Sequence, residues 1–326
     1  MKVLVTGATG FTGGVLARKL HEHGASVRVL VRDRTRLDLP PGAYEGIVEA
    51  DLKDRDALAA SVRDIDRVFH IGALFRQAGV RDAEYWDVNL HATAHLLEES
   101  CAAGVARFIH CSTVGVHGDI ENPPADENYR FAPGDIYQIT KLAGEKKVLE
   151  FGRQTGFPVT VIRPGPIYGP GDLRLLKLFR LAAKAITPII GNGQIFFNMV
   201  YVDDLADLFI LTASSDRSVG QVFLGAGPEN MPLNHIVTMI AEILGRPTSK
   251  FHIPALPFQL LGSACEKVCI PLGIEPPIYR RRVDFFTKSR AFSIAKAQEY
   301  LGYEPKYGYQ RGLASTIEWY QRKNLI

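Results

Sequence analysis

Residues 6–13 read Thr-Gly-Ala-Thr-Gly-Phe-Thr-Gly, and this stretch decides the fold. It joins the strand-like Val3–Val5 to the helix-like Val15–His23, and its glycines stand at GxxGxxG spacing. Glycine there lets the backbone turn tightly and approach a pyrophosphate, whose charge the amides at the start of the helix can bind. Any strand-to-helix turn uses glycine, but this one opens a βαβ pattern, which is the context that a dinucleotide site requires. The stretch therefore predicts a dinucleotide-binding loop, whose predicted contact residues are Gly7, Thr9, Gly10, Phe11, Thr12 and Gly13.

Short apolar runs alternate with longer amphipathic stretches over the first two-thirds of the chain, which predicts βαβ units around a parallel sheet. The predicted strands are Val3–Val5, Val27–Val31, Val68–Ile71, Phe108–Cys111 and Val159–Ile162. The predicted helices are Val15–His23, Leu90–Ala103 and Tyr137–Gly156. The strands are apolar almost throughout, as expected when both faces of the sheet are covered. We therefore predict an α/β fold with a Rossmann-type, doubly wound parallel sheet.

Beyond Pro164 the alternation weakens, and proline and glycine become frequent. We predict a dinucleotide-binding domain over residues 1–165, to which residues 195–225 return. A smaller C-terminal substrate-binding lobe is predicted from residues 166–194 and 226–326. Within the lobe, Phe251–Tyr279 is apolar and interrupted by prolines, and no long helix is predicted there.

The composition is that of an ordinary globular protein, with 46% hydrophobic residues and a net charge of only +3. This charge gives no argument for binding nucleic acid, and the basic run Arg280–Arg282 is predicted to be a solvated face or a local anion contact, not a recognition patch. The four cysteines have no CxxC or zinc-like spacing, so reduced structural thiols and no metal are expected. We expect no signal peptide before the first strand, and no apolar run approaches the roughly 18 residues of a membrane span. We expect a soluble, cytoplasmic protein.

The second predicted strand ends in Val31-Arg32-Asp33-Arg34. An acidic residue there would accept from a ribose 2′-hydroxyl, whereas arginine suits a 2′-phosphate. Arg32 is a planar, permanently charged fork that matches phosphate, which favours NADP(H). NAD(H) stays open because Asp33 is adjacent, and arginines that only decorate a loop are the alternative. Asp51, after the next apolar stretch, would by itself be typical of a helix N-cap.

Tyr137 and Lys141 stand four residues apart on a predicted helix and share one face. The reference pKa of tyrosine is about 10, and a nearby ammonium favours the phenolate, so this pair suits acid–base catalysis. The strand Phe108–Cys111 ends in Ser112-Thr113, where a hydroxyl can polarise a carbonyl or alcohol beside the tyrosine. YxxxK alone occurs by chance in many helices; together with the glycine loop it predicts a nicotinamide-dependent oxidoreductase.

These motifs resemble the extended short-chain dehydrogenases/reductases of the NAD-dependent epimerase/dehydratase superfamily, and the resemblance covers essentially the whole chain. Further matching segments are His70–Ala73 (with Gly72 where alanine is usual), Asn89 and Thr93 (with Ala92 where glycine is usual), Arg163–Pro170, Tyr201–Asp204 and Leu301–Pro305. The resemblance implies cofactor contacts at Asp51, Leu52, Gly72, Ala73, Pro164 and Ile167, besides Arg32, Tyr137 and Lys141. It implies Thr113 as the catalytic hydroxyl, since Thr113 lies five residues before Gly118, with Ser112 as the second choice.

The position of Phe197 separates two branches of this family. Sugar-nucleotide members typically carry an arginine there, which pairs with the substrate pyrophosphate; the local run Ile195–Met199 has no cation. Asn198 instead resembles the 3β-hydroxysteroid dehydrogenase and dihydroflavonol reductase branch. Apolar residues that could line a lipid pocket, or simply form lobe core, are Ile253, Pro254, Leu256, Pro257, Phe258, Leu260, Leu261, Val268, Ile270 and Leu272.

The leading hypothesis is therefore hydride transfer between nicotinamide and a secondary alcohol or ketone of a hydrophobic substrate. A 3β-hydroxysteroid or 4-carboxysterol is the best guess. A nucleotide-sugar epimerase or dehydratase with tightly bound NAD is the alternative, although Val114-Gly115 after Thr113 disfavours a dehydratase. A non-catalytic nucleotide sensor is a third hypothesis, disfavoured because it would not need Tyr137 and Lys141. Peripheral membrane contact and a homodimer are further hypotheses.

Overall fold

The computed structural model describes residues 1–40, 42–77, 79–246, 249–269 and 280–326, without the side chains of residues 266 and 280–282. The strands are β1 Lys2–Thr6, β2 Ser26–Val31, β3 Gly46–Glu49, β4 Arg67–His70, β5 Arg107–Cys111, β6 Val159–Pro164, β7 Ile167–Tyr168, β8 Ile186–Ile190, β9 Phe196–Phe197, β10 Val200–Tyr201, β11 Val222–Gly225, β12 Met231–Pro232 and β13 Ser249–Ile253. The helices are α1 Phe11–Glu22, α2 Arg55–Ser61, α3 Asp82–Trp86, α4 Ala92–Ala102, α5 Ile136–Thr155, α6 Leu176–Ala182, α7 Val202–Ser214, α8 Leu233–Ile243, α9 Ala255–Cys269, α10 Arg280–Thr287, α11 Ala295–Leu301 and α12 Tyr309–Arg322.

A seven-stranded sheet in the order β11-β6-β5-β4-β1-β2-β3 forms the centre of the molecule, and all its pairings are parallel. The Rossmann-type fold predicted from the alternating pattern is thus confirmed. Chain order reverses between β1 and β4, whose carboxyl ends are Thr6 and His70. In open parallel sheets, ligands bind in the crevice outside this reversal. The glycine loop and the turn after β4 both lie at that crevice.

The two faces of the sheet bury separate apolar clusters because successive side chains of a strand point to opposite faces. Val3 and Val5 pack in one cluster with Leu16 of α1 and Phe209 of α7. Leu4 packs in the other, with side chains of α2 and α4. A third cluster, which includes Phe179, Ile236, Leu313 and Tyr320, joins α6, α8 and α12 outside the sheet.

The later part of the chain returns to the sheet at two places. β11 pairs with β6 at one edge, and α7 packs against α1. Asp204, in the first turn of α7, accepts hydrogen bonds from the amides of Lys306 and Tyr307 at 2.9 and 3.0 Å, which ties the C-terminal tail to α7. The proposed division into residues 1–165 with 195–225 and a lobe from the remainder stays a prediction.

The expectation of no long helix within Phe251–Tyr279 was wrong, since α9 runs for 15 residues from Ala255 to Cys269. The prolines are compatible with this helix. Pro254 precedes the helix and Pro257 falls in its first turn, where the missing amide has no intrahelical partner to lose. Ile270 and Leu272 of the predicted apolar lining, and the side chains of Arg280–Arg282, lie outside the described part of the chain.

The described helices include none long and apolar enough to cross a bilayer.

Candidate active site

The glycine loop makes the close backbone approach that a dinucleotide requires. Gly7 has a positive φ of 76°, and a Cβ on it would lie 2.7 Å from the amide nitrogen of Gly72. A Cβ on Gly13 would lie 2.2 Å from the carbonyl oxygen of Gly7. Gly10 is the N-cap of α1 and supplies no side-chain cap, so the first amides of the helix, beginning at Phe11, are not capped by it. Such amides bind phosphate. The cradle therefore fits a dinucleotide pyrophosphate.

Arg32 lies exposed just beyond β2 and forms no hydrogen bond or ion pair with any residue that the structure describes. The neighbouring acid, Asp33, is turned to local structure, because its carboxylate accepts from the amide and the hydroxyl of Thr35 at 3.0 and 2.5 Å. These bonds lower the pKa of Asp33. The end of β2 thus presents a free guanidinium, while the carboxylate that complicated the cofactor prediction caps a turn.

Asp51 and Leu52 lie between β3 and α2. Asp51 does not cap the helix; its carboxylate accepts from the amide of Lys53, and Asp54 is the N-cap. A Cβ added at Gly72 would stand 3.0 Å from both the Leu52 side chain and the Thr6 hydroxyl. This crowding favours glycine at a position where the resemblance implies alanine.

Tyr137 lies in the first turn of α5, which Asp135 caps through the amide of Gln138. Its ring meets Phe75 edge-on at 4.9 Å between centroids, and the guanidinium carbon of Arg76 lies 5.4 Å from the Tyr137 ring centroid. Burial raises the pKa of Tyr137, as does the Cys111 thiol, while the charges of Arg76 and Arg174 act against the rise. The expectation was that Lys141 lowers this pKa; instead the pKa is raised, and the cations that act against the rise are Arg76 and Arg174.

Lys141 lies one helical turn further along α5 and is buried. Its Nζ donates to His110 Nε2 over 3.5 Å, and no carboxylate among the described residues lies within ion-pair distance. Burial lowers the pKa of Lys141, while Cys111 and Glu145 act in the opposite direction. The ammonium therefore has donors that no described residue uses, and binding of ribose hydroxyls would require such donors.

Two neutral histidines, His70 and His110, lie near the ammonium of Lys141. Burial lowers the pKa of His70 to about 3, and it lowers the pKa of His110 well below the ordinary value. His70 contacts the hydroxyls of Thr6 and Thr93 at 2.8 and 2.9 Å. Because both rings are neutral, Lys141 is the cation of this buried group.

Of the two hydroxyls that follow β5, Ser112 is committed to a buried carboxylate. It donates to Glu145 over 2.6 Å, and Glu145 in turn pairs with Arg163. The hydroxyl of Thr113 accepts from the amide of Gly115 at 3.1 Å, and its residue is partly exposed. Thr113 therefore keeps a hydroxyl hydrogen free for a ligand, and Ser112 does not.

The Ser112–Glu145–Arg163 group is a feature that sequence analysis missed. Arg163, in β6, also donates to His117 Nε2 and to the carbonyl of Glu127, at 3.0 and 2.8 Å. The group links α5 to the ends of β5 and β6. Pro164 ends β6 and Ile167 begins β7, so both predicted contact residues stand just beyond this link. Glu145 was readable in principle as a charge four residues after Lys141 on the same helix face.

The chain belongs to the NAD-dependent epimerase/dehydratase family, whose model matches residues 3–224. It is an extended short-chain dehydrogenase/reductase and an NAD(P)-dependent enzyme acting on CH–OH or C=O groups, which confirms the resemblance drawn from its motifs.

Among its relatives, the 3 beta-hydroxysteroid dehydrogenase/Delta 5-->4-isomerase of Mycobacterium tuberculosis is 30% identical across 98% of this chain and 90% of that protein. The 2-alkyl-3-oxoalkanoate reductase of Stenotrophomonas maltophilia is 27% identical across 96% of this chain and 97% of that protein. The structure of MoeE5 in complex with UDP-glucuronic acid and NAD is 27% identical, with a TM-score of 0.77 over 99% of this chain and all of that chain. Steroid, oxoalkanoate and sugar-nucleotide proteins are thus all similar to this one.

Proposed function

We propose that this enzyme transfers hydride between nicotinamide and a secondary alcohol or ketone of a hydrophobic, sterol-like substrate. Tyr137 holds the proton that the substrate oxygen gains or loses, Thr113 donates a hydrogen bond to that oxygen, and Lys141 binds the nicotinamide ribose. A bound nicotinamide nucleotide supplies or accepts the hydride. The similarity to the mycobacterial steroid dehydrogenase supports this substrate class.

The apolar surface of α9 is the observation that carries the proposal. Leu256, Leu260, Leu261 and Val268 are between 52% and 64% exposed, so they are not lobe core. Large aliphatic side chains clustered on one exposed helix mark a binding surface. Such a surface suits a lipid substrate.

The same surface supports our further proposal of peripheral contact with a membrane. Vesicle flotation with Leu256→Ser/Leu260→Ser tests the membrane contact, and loss of flotation is expected.

The experiment follows nicotinamide absorbance with 3-hydroxy and 3-keto sterols in both directions. We expect turnover with a sterol, and Tyr137→Phe should reduce kcat by about 10²-fold or more because the proton donor is removed. Tyr129→Phe is the matched control. If the nicotinamide absorbance changes at the same rate in Tyr137→Phe as in the wild type, the role assigned to Tyr137 is wrong.

NADP(H) is our proposed cofactor. It is supported by the free guanidinium of Arg32 and by the hydrogen bond that engages the neighbouring Asp33 carboxylate with the amide of Thr35. Arg32→Ala should raise KM for NADP by about 10- to 100-fold, since a hydrogen bond to a charged group contributes roughly 1.5–3 kcal/mol. KM for NAD should hardly change. Equal effects on the two cofactors would contradict the proposal.

A nucleotide-sugar epimerase is the second candidate, favoured by one finding. The structure brings Arg290 against Phe197, with the guanidinium carbon 5.5 Å from the ring centroid, although the local sequence run has no cation. Net conversion of a UDP-sugar by protein that retains NAD, without any sterol turnover, would support this candidate over the first.

A homodimer stays a proposal that sedimentation velocity tests.

A further inference from the structure

Arg76, beside Tyr137, has only one of its donors on a carboxylate, and Arg290 has no carboxylate partner among the described residues. Arg76 follows β4 and lies against the Phe75 and Tyr137 rings, at 5.5 and 5.4 Å from the centroids. Arg290 follows α10 and lies against Phe197. Each belongs to a different part of the chain, and the fold brings their charges into each other's field.

Arg76 uses one of its donors. Its Nε pairs with Asp135 Oδ2 at 2.6 Å, and neither terminal nitrogen has a hydrogen-bond partner among the described residues. Its side chain is 31% exposed, so the guanidinium is not sealed off from solvent. A guanidinium edge left free beside an aromatic pair is suited to a planar, bidentate anion.

Arg290 has no carboxylate within ion-pair distance in the part of the chain that the structure describes. Its terminal nitrogens donate to the backbone carbonyls of Phe285, Lys288 and Asp284 over 3.1–3.4 Å. Burial lowers the pKa of Arg290 to about 10, and the charge of Arg76 acts in the same direction, against Asp284 and Asp119. Two positive charges that repel each other are both stabilised when an anion binds near them.

We propose that the substrate carries a carboxylate close to its reacting carbon, and that Arg76, supported by the charge of Arg290, binds this carboxylate. The guanidinium carbon of Arg76 lies 5.4 Å from the centroid of the Tyr137 ring, so an anion bound by Arg76 would lie near a carbon whose oxygen meets the tyrosine. A 3-hydroxy or 3-oxo acid with a hydrophobic body has this arrangement. This inference rests on the proposed function and narrows its substrate class. The similarity to a reductase named for 2-alkyl-3-oxoalkanoates agrees with it.

The test compares one substrate with and without its charge. A long-chain 3-hydroxy acid, its methyl ester and a neutral 3-hydroxy sterol are assayed by nicotinamide reduction. Wild-type enzyme should prefer the acid to the ester. Arg76→Gln should lower kcat/KM for the acid by about 30-fold or more, because losing one partner of a desolvated charge pair has an effect of this size. For the ester the change should stay under about threefold.

Three further variants separate anion binding from damage to the fold. Arg76→Lys keeps the charge and should recover part of the preference for the acid. Arg290→Gln should lower the acid reaction selectively but by less than Arg76→Gln. Arg130→Gln removes an exposed arginine paired with Glu121 and should change neither reaction.

An equal fall for acid and ester in both Arg76→Gln and Arg290→Gln overturns the inference. Turnover of the neutral sterol without any preference for the acid also overturns it, and leaves the proposed function in place. Absence of turnover with all three substrates, or turnover of a UDP-sugar alone, contradicts the proposed function as well.

Discussion

Replacement of Glu145 by alanine should destabilise the protein more than removal of any exposed carboxylate. Glu145 and Arg163 are 1% and 3% exposed, and the arginine makes contacts of 2.5 and 3.1 Å with the carboxylate. Alanine leaves Arg163 charged in a buried site, where its remaining described partners are the neutral His117 ring and the carbonyl of Glu127.

The expected loss is about 3–5 kcal/mol in the free energy of unfolding, since breaking a buried ion pair leaves an uncompensated charge. The double variant Glu145→Ala/Arg163→Met should be more stable than Glu145→Ala alone, because it removes that charge as well. The two substitutions should therefore be non-additive by more than about 1 kcal/mol.

Urea unfolding followed by circular dichroism measures these free energies. Glu121→Ala is the matched control: its partner Arg130 is more than half exposed, and solvent screens that pair, so only a slight change is expected. Equal losses in Glu145→Ala and Glu121→Ala, or strict additivity in the double variant, would refute the reasoning.

Three other outcomes are expected. Gly13→Val should abolish cofactor binding measured by nucleotide fluorescence, because its Cβ would stand 2.2 Å from a backbone carbonyl, whereas Gly46→Ala, with an ordinary 3.6 Å contact, should bind normally. Thr113→Val should lower kcat by about 10²-fold with little effect on stability, while Ser112→Ala should lower stability by about 1–3 kcal/mol; the reverse pattern would exchange their roles. His70 has a lowered pKa of about 3 in the folded state, so the unfolded state binds its proton first as the pH falls. The free energy of unfolding should therefore decrease below the unfolded pKa of His70, by roughly 2 kcal/mol at pH 5. Urea titrations of His70→Asn should show a shallower dependence on pH.

The sheet could be predicted from the sequence because its signals are local. Val3–Val5 and Val159–Ile162 are apolar runs that fall within β1 and β6, and the glycine turn between β1 and α1 needs only neighbouring residues to define it. Tyr137 and Lys141 were predictable as a pair for the same reason, since helix geometry sets their relation. β3 and α2 were not predicted as elements, because Gly46–Glu49 is short and carries little apolar pattern.

The surroundings of Tyr137 could not be predicted, because they depend on contacts between distant segments. Arg76 is a loop residue and Arg290 lies 214 positions later, a separation that no periodicity encodes. Phe197 shows the difference clearly: its neighbours in sequence exclude a cation, and the fold supplies one from another segment. The sequence alone indicates the residue types at the candidate site, whereas the charges that surround them depend on tertiary structure.

The bonds from Asp204 to Lys306 and Tyr307 limit how this enzyme can be re-engineered. A chimera that grafts residues 226–326 from a relative onto this scaffold would join a foreign tail to the native first turn of α7. The two buried carboxylate oxygens of Asp204 would then have hydrogen-bond partners only if the grafted tail placed two backbone amides at the same positions. Substrate range should therefore be altered by replacing α9 and its flanking residues alone, with the stretch from α11 onward kept native.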